Sequence, residues 1–398
     1  MAGAPQAAPP LWQAVLPLAV AETLVWATLY YMFPALLPVW ESEFGWTRGE
    51  ISGAFTASLI VTALISPRAG RIIDRGGSRA MFLGAIAAGA LLLVLLSQVT
   101  ALWQFWAVWL AIGLVNGMCL YEACFAIITV TVGSRAKQAI TIVTLVAGFA
   151  GTVSFPSAYL LSETLGWRGA LLVFAAVAAL VALPLGMAGL RLLERHRAPP
   201  PAQPETQQTV ARTVLRKPAF WCIAFGFAAT GLVHGMIISH IRPIMDDRGI
   251  ETGIAVLIAS MVGPMQVVGR VIMVAAQRHV DTFGAAIATF VGMAIGLAAL
   301  LSTEMMPWLA FAFVVPYGAA YGVISIVRPV LTAEVLGRAG FGQIAGMLAV
   351  PYVLGGAMGP VLAAKIWVFF GYDTVLALSL GLVGAGMAAI LATRRASR

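Results

Sequence analysis

Charged residues are missing from long stretches of this chain, and those stretches recur so regularly that few folds remain open. About 20 consecutive apolar residues let a helix cross the hydrocarbon core of a bilayer. By that measure the sequence predicts twelve spans, over residues 12–39, 50–67, 80–98, 102–132, 138–162, 168–190, 219–242, 252–276, 282–301, 307–334, 341–368 and 373–393. Only 10% of the 398 residues are charged, against about 25% in an ordinary soluble domain. So little charge cannot cover a water-facing surface, which excludes a soluble enzyme, a disordered tail protein and a disulfide scaffold. The fold class is therefore read as an all-α membrane protein, with twelve transmembrane helices in two six-helix bundles.

Most connections between spans are a few residues long. The exception is 191–218, RLLERHRAPPPAQPETQQTVARTVLRKP, which is polar and rich in Pro and Gln. It reads as a solvated cytoplasmic linker between an N-terminal bundle, 1–190, and a C-terminal bundle, 219–398. With the N-terminus inside, 17 of the 24 Lys and Arg fall on the cytoplasmic side. Five fall on the other (Arg48, Arg168, Arg242, Arg248 and Lys365), and Arg270 and Arg328 lie within spans. That asymmetry follows the positive-inside rule. It places both termini in the cytoplasm and accounts for the net charge of +8 without a nucleic-acid partner. The opening MAGAPQAAPP lacks the basic start of a signal peptide, and the apolar run after it is too long for one, so it is read as a transmembrane helix. Cys119, Cys124 and Cys222 sit in apolar runs without metal-ligand spacing and read as small buried hydrophobes. Arg75 and Arg278 occupy matching loops 203 residues apart, as do Arg135 and Arg338, which points to an internal repeat.

Four charged residues are left well inside spans: Glu22, Glu122, Arg270 and Arg328. Charge in the membrane interior is costly and by default marks function. Two acids and two bases sum to zero, so they can neutralise one another as buried charges must. Helical spacing shows what accompanies them. Glu22, Trp26, Tyr30 and Phe33 fall within one arc of the first span. Tyr317, Tyr321 and Arg328 share a face of the tenth. Glu122 follows Tyr121 on the fourth span, which holds the place in its half that the tenth span holds in the other, so Glu122 and Arg328 are candidates to meet. On the seventh span His234 lies between Gly231 and Gly235, glycines expected to loosen the helix around a titratable side chain.

The loop after the second span reads GRIIDRGGSR. Its Gly70, Asp74, Arg75, Gly77 and Arg79 match the G-x-x-x-D-R-x-G-x-R signature of the major facilitator superfamily, in the loop where that family carries it. FGWTRGEIS (Phe44 to Ser52), GWRGALL (Gly166 to Leu172) and VVGR (Val267 to Arg270) are similar to the monocarboxylate porter branch and its bacterial relatives. The resemblance implies alternating access, with Asp74 and its neighbouring arginines acting in gating. It also implies a substrate carboxylate bound by the arginine at position 270. In such relatives an acid four residues before that arginine handles the proton. Here the place is held by Gln266, so proton coupling falls to another acid, Glu122 or Glu22. The glycine-proline motif of efflux-type relatives is not well formed in the fifth-span sequence LVAGFAGTVSFP.

No GxxxxGK[ST] sequence, His/Cys metal cluster or Ser/His/Asp set is present, so the chain is not read as an enzyme and calls for no cofactor or metal. The expected function is secondary transport of a small organic anion across the inner membrane, coupled to protons. Arg270, Arg328, Tyr317, Tyr321, Tyr30, Trp26 and His234 are the substrate-binding candidates. The expected partners are the solute, the proton and the bilayer, around a monomer. Rival readings are an exporter of drugs or lipophilic cations attracted by Glu22, a carrier of a larger aromatic or vitamin-like solute, and a membrane protein that transports nothing.

Overall fold

The computed structural model describes residues 10–197, 212–276 and 278–396. The segment before Pro10 and the centre of the expected linker, 198–211, lie outside the described residues. The chain is a multi-pass membrane protein, and no strand occurs among the described residues. Nine helical stretches among them are long and apolar enough to cross a membrane. Leu102–Glu194 covers three of the predicted spans and Phe341–Arg394 covers two.

Contacts divide the chain into two units. Unit 1, Met1–Pro204 with Arg338–Gly346, holds nine α-helical segments among the described residues. These are α1 (Leu11–Trp26), α2 (Met32–Phe44), α3 (Arg48–Asp74), α4 (Ser78–Leu96), α5 (Leu102–Cys119), α6 (Tyr121–Val132), α7 (Ala136–Ala147), α8 (Ala150–Val177) and α9 (Leu183–Glu194). Unit 2, Glu205–Gly337 with Met347–Arg398, holds α10 (Pro218–Asp247), α11 (Thr252–Ala276), α12 (Thr282–Leu301), α13 (Leu309–Leu336) and α14 (Phe341–Ala396). The first turns of α14 belong to unit 1.

Helix starts follow the sequence. Thr47 and Glu50 form a reciprocal cap at the start of α3, and the Asp281 carboxylate accepts the Gly284 amide at the start of α12. Such caps satisfy amides that a helix cannot pair internally. The turns between merged spans rest on glycine. Gly166, between the fifth and sixth spans, has φ 70° and ψ 164°. Gly371, between the eleventh and twelfth, has φ 76° and ψ 174°. This region is essentially closed to residues with a Cβ.

Those two glycines belong to a repeat that amino-acid identity barely shows. Left-handed glycines recur as Gly45 and Gly249, Gly133 and Gly337, and Gly166 and Gly371, at separations of 204, 204 and 205 residues. Beside them an ion pair recurs. Arg168 binds Glu43 at 2.9 Å in unit 1, and Arg248 binds Asp373 in unit 2. Each pair is 125 residues apart in sequence, but the acid and the base have changed places. Arg248 also binds Glu304 and its side chain is almost fully buried, whereas the Arg168 pair is half exposed.

Two interruptions depart from the predicted spans. The first span passes from α1 to α2 through a π turn, Ala27–Tyr31. The fourth is broken between α5 and α6 at Leu120, which adopts an extended conformation. No Gly or Pro lies within either interruption, although Pro34 has no N–H to pair with the carbonyl of Tyr30 in the π turn four residues before it.

Candidate solute and proton sites

In unit 1 the acid of the first span is enclosed. Glu22 is fully buried on α1, one turn before Trp26, whose indole N–H donates to Glu22 Oε1 at 3.1 Å. Among the described residues Oε2 receives no N–H or O–H donor. The thiol of Cys124 lies against the carboxyl group, with Cys119 close by. In a regular α-helix the residues four and five places after Trp26 project to different sides. The wider π turn brings both to its ring, Tyr30 at 4.8 Å and Tyr31 at 5.9 Å between centroids. One carbonyl of that turn, Ala27 O, accepts the Ser154 hydroxyl of α8 at 2.7 Å, which gives a buried backbone group its partner.

A further ring comes from α6. Tyr121 lies 4.6 Å from Trp26 and stacks on Phe125. Glu122 follows it, half-buried in the first turn of α6, where the helix dipole favours a carboxylate. The break at Leu120 creates this position. Without it Glu122 would lie mid-helix.

In unit 2 the packing of α10, α11, α13 and α14 places five predicted residues. Gly269 of α11 faces Ala319 O and Gly322 of α13 faces Gln266 O, so closely that a Cβ would lie 2.1 or 2.2 Å from those oxygens. This approach lets Arg270, buried on α11, donate from Nε to Gly322 O at 3.0 Å. On α13, buried Arg328 places its guanidinium 4.2 Å from the ring centroid of Tyr352. The Tyr352 and Tyr321 hydroxyls are hydrogen-bonded at 2.9 Å. His234 of α10 stacks on Tyr321 at 3.3 Å and lies 6.1 Å from Tyr317, nearly parallel to both. Tyr317 is fully enclosed. Among the described residues neither its hydroxyl nor His234 Nδ1 has a hydrogen-bond partner.

The glycines around His234 act differently from the sequence expectation. α10 runs unbroken from Pro218 to Asp247, and Gly231 and Gly235 serve close contact with α14. A Cβ there would lie 2.6 Å from Tyr352 O and 2.3 Å from Gly356 O. Small residues four apart let backbones meet, and that contact is what delivers Tyr352, a residue the sequence reasoning missed. Gly231-x-x-x-Gly235, read against Gly355, Gly356 and Gly359, was the available signal. Tyr31 and Cys124 were missed as well, because a π turn and a neighbouring helix place them.

The loop signature is also ordered. Asp74, at the end of α3, accepts the amides of Gly342 and Gln343 at 2.8 Å each, in the first turn of α14. Gly70 lies one turn earlier, where a Cβ would be 1.9 Å from Gly342 O. Arg75 is exposed, Gly77 and Arg79 are half-buried, and Gly77 leads into α4. Glu22, Trp26, Tyr30 and Glu122 thus lie in unit 1, and Arg270, Tyr317, Tyr321, Arg328 and His234 in unit 2.

Comparison with solved structures gives the proton:xylose symporter XylE bound to 6-bromo-6-deoxy-D-glucose, at TM-score 0.71 and 13% identity over 96% of this chain and 94% of that one. The transporter FucP in its outward conformation matches at TM-score 0.71 and 13% identity, over 95% and 98%. The human organic anion transporter MFSD10 matches at TM-score 0.65 and 16% identity, over 96% and 100%. At these identities the likeness is one of fold. No curated protein sequence matches the chain. The Major Facilitator Superfamily model matches residues 18–360, and with nine membrane-length helical stretches among the described residues and the signature at Gly70–Arg79, the chain belongs to the major facilitator superfamily of transporters.

Proposed function

We propose that the chain moves a small organic anion by alternating access, coupled to protons and similar in this to the monocarboxylate branch of the superfamily. One observation carries the reading: two buried guanidiniums, Arg270 and Arg328, stand in one unit among Tyr321, Tyr352 and His234. Charge in the membrane interior marks function by default, and the planar fork of a guanidinium matches a carboxylate in bidentate fashion. The Gly322 carbonyl fixes the Arg270 plane, and the Tyr352 ring fixes that of Arg328. Arg270 takes the carboxylate, Arg328 assists, and the rings shape the remainder. Glu22 or Glu122 carries the proton, and the Gly70–Asp74 contact with Gly342 and Gln343 acts in gating. The protein works in the inner membrane as a monomer, with both termini cytoplasmic. MFSD10, similar in fold, is an organic anion transporter, which agrees with this reading.

A second reading, a neutral sugar, draws on XylE and on the cluster of Trp26, Tyr30, Tyr31 and Tyr121, since apolar ring faces suit sugar rings. Thermal-shift measurement of the purified protein against carboxylates, aromatic acids, lipophilic cations and neutral sugars separates the classes. A carboxylate should stabilise, and Arg270→Ala should abolish both that shift and counterflow of the radiolabelled compound while the protein stays folded. Stabilisation by a sugar or a cation that survives Arg270→Ala would refute the anion reading.

A further inference from the structure

We propose that Trp26 is the positioning residue of the proton-carrying acid: its indole N–H holds Glu22, and its clamped ring makes that bond depend on the aromatic cluster. This rests on the reading of Glu22 as the coupling acid. The N–H···Oε1 contact is 3.1 Å, and Oε2 has no N–H or O–H donor among the described residues. This indole, with the Cys124 thiol beside the same group, therefore takes the place of the water that would otherwise solvate the carboxylate. A donor of that kind favours the ionised form. Without it, a buried acid holds its proton more tightly.

The ring is not at liberty to leave. Tyr30 and Tyr31, brought round by the π turn, and Tyr121 of α6 bracket it at 4.8, 5.9 and 4.6 Å. Tyr121 adjoins Glu122, so a solute that moves that ring loosens the clamp on Trp26 and changes the proton affinity of Glu22. A ligand shifts such an equilibrium only by its differential contact with the two arrangements, and Tyr121 is the contact that supplies it. Among the described residues the thiols of Cys119 and Cys124 lie beside Glu22, and the phenols of Tyr30, Tyr31 and Tyr121 surround the indole that bonds it, with Glu122 next to Tyr121. Of the remaining helices packed on α1, α7 and α9 carry their charges at helix ends (Lys137, Arg191 and Glu194), and α8 carries Glu163 and Arg168 around its Gly166 break.

The test needs no solute. pH-difference infrared spectroscopy of the full chain in liposomes follows the carbonyl band of protonated carboxyl groups, and Glu22→Gln identifies the Glu22 component by its loss. Trp26→Phe keeps the ring and removes the donor. The Glu22 band should then shift in frequency and titrate at higher pH, with proton affinity raised about tenfold for one lost hydrogen bond to a charged group. Tyr121→Leu, which leaves the donor in place, should move the titration in the same direction by less. A Glu22 band unchanged in frequency and midpoint by Trp26→Phe overturns the role of Trp26 alone. If no titrating band disappears in Glu22→Gln, the assignment of Glu22 as coupling acid falls, and this inference with it.

Discussion

Replacing Asp74 with alanine should release the start of α14 from α3, and the size of the effect follows from two contacts. The carboxylate accepts the amides of Gly342 and Gln343, both at 2.8 Å, and these are among the donors a helix leaves unpaired at its first turn. A carboxylate at such a terminus contributes about 0.5–2 kcal/mol as a cap, and its charge adds about 0.3–1 kcal/mol against the helix dipole. Taking about 2 kcal/mol together, local opening around 342–343 becomes about 30-fold more frequent. Hydrogen exchange with mass-spectrometric readout of the 338–346 segment measures this directly, since opening free energy sets the exchange rate. Asp74→Asn keeps one oxygen acceptor and should fall between wild type and alanine. Gly70→Ala should act as strongly as Asp74→Ala by another route. Its Cβ would stand 1.9 Å from Gly342 O, and a backbone oxygen cannot swing aside as a side chain does. If exchange in 338–346 is unchanged in both Asp74→Ala and Gly70→Ala, the tie between these segments is not what holds them, and the gating role built on it fails.

Other perturbations have defined outcomes. Arg270→Lys keeps the charge but loses the planar fork and the Nε anchor on Gly322 O, so affinity for the stabilising carboxylate should drop at least about tenfold in thermal-shift titration. Tyr352→Phe removes the hydroxyl pair with Tyr321 and should cost about 1 kcal/mol of stability. Tyr352→Leu also removes the ring under Arg328 and should cost about 2 kcal/mol more, as a desolvated cation–π contact does; equal melting temperatures for the two variants would contradict this. Arg248→Ala removes a buried guanidinium but leaves Asp373 and Glu304 more than half exposed to water, so it should destabilise by about 1 kcal/mol. Glu43→Ala, at a half-exposed pair, should cost about 1 kcal/mol or less. Gly166→Ala and Gly371→Ala should each cost about 1–3 kcal/mol, and by similar amounts, because their dihedral angles nearly coincide.

Contacts along one helix were legible in the sequence, and those between helices were not. Tyr317, Tyr321 and Arg328 share a face by spacing alone, and the structure gathers their rings and guanidinium beside His234 and Tyr352. The Trp26 stripe was read from a period of 3.6 residues, which gave Tyr30. Tyr31 joins only because the period widens locally, and a hydropathy pattern carries no mark of a π turn. The Leu120 break escaped for the same reason: leucine between Cys119 and Tyr121 reads as uninterrupted span. Tyr352 depends on how α14 is rotated against α10 and α13. Only the glycines at the crossing encode that, and in sequence alone they read as loosening the helix. The scarce buried charges, by contrast, stood out from composition, since cost sets them apart whatever the packing.

The reversal of sign between the two closing ion pairs bears on assembly. Glu43 meets Arg168 in one half and Arg248 meets Asp373 in the other, at the same separation along the chain. Repeated halves invite error during insertion, because a helix from one can dock where its counterpart belongs. Had both halves used the same polarity, a sixth span closing on the seventh, or a twelfth on the first, would have found a matching partner. With the polarity inverted, such an exchange sets Arg168 against Arg248, or Glu43 against Asp373. Discrimination between near-equivalent partners is often achieved by penalising the wrong one, and here two reversed charges let each half of the chain tell its own last helix from its twin's.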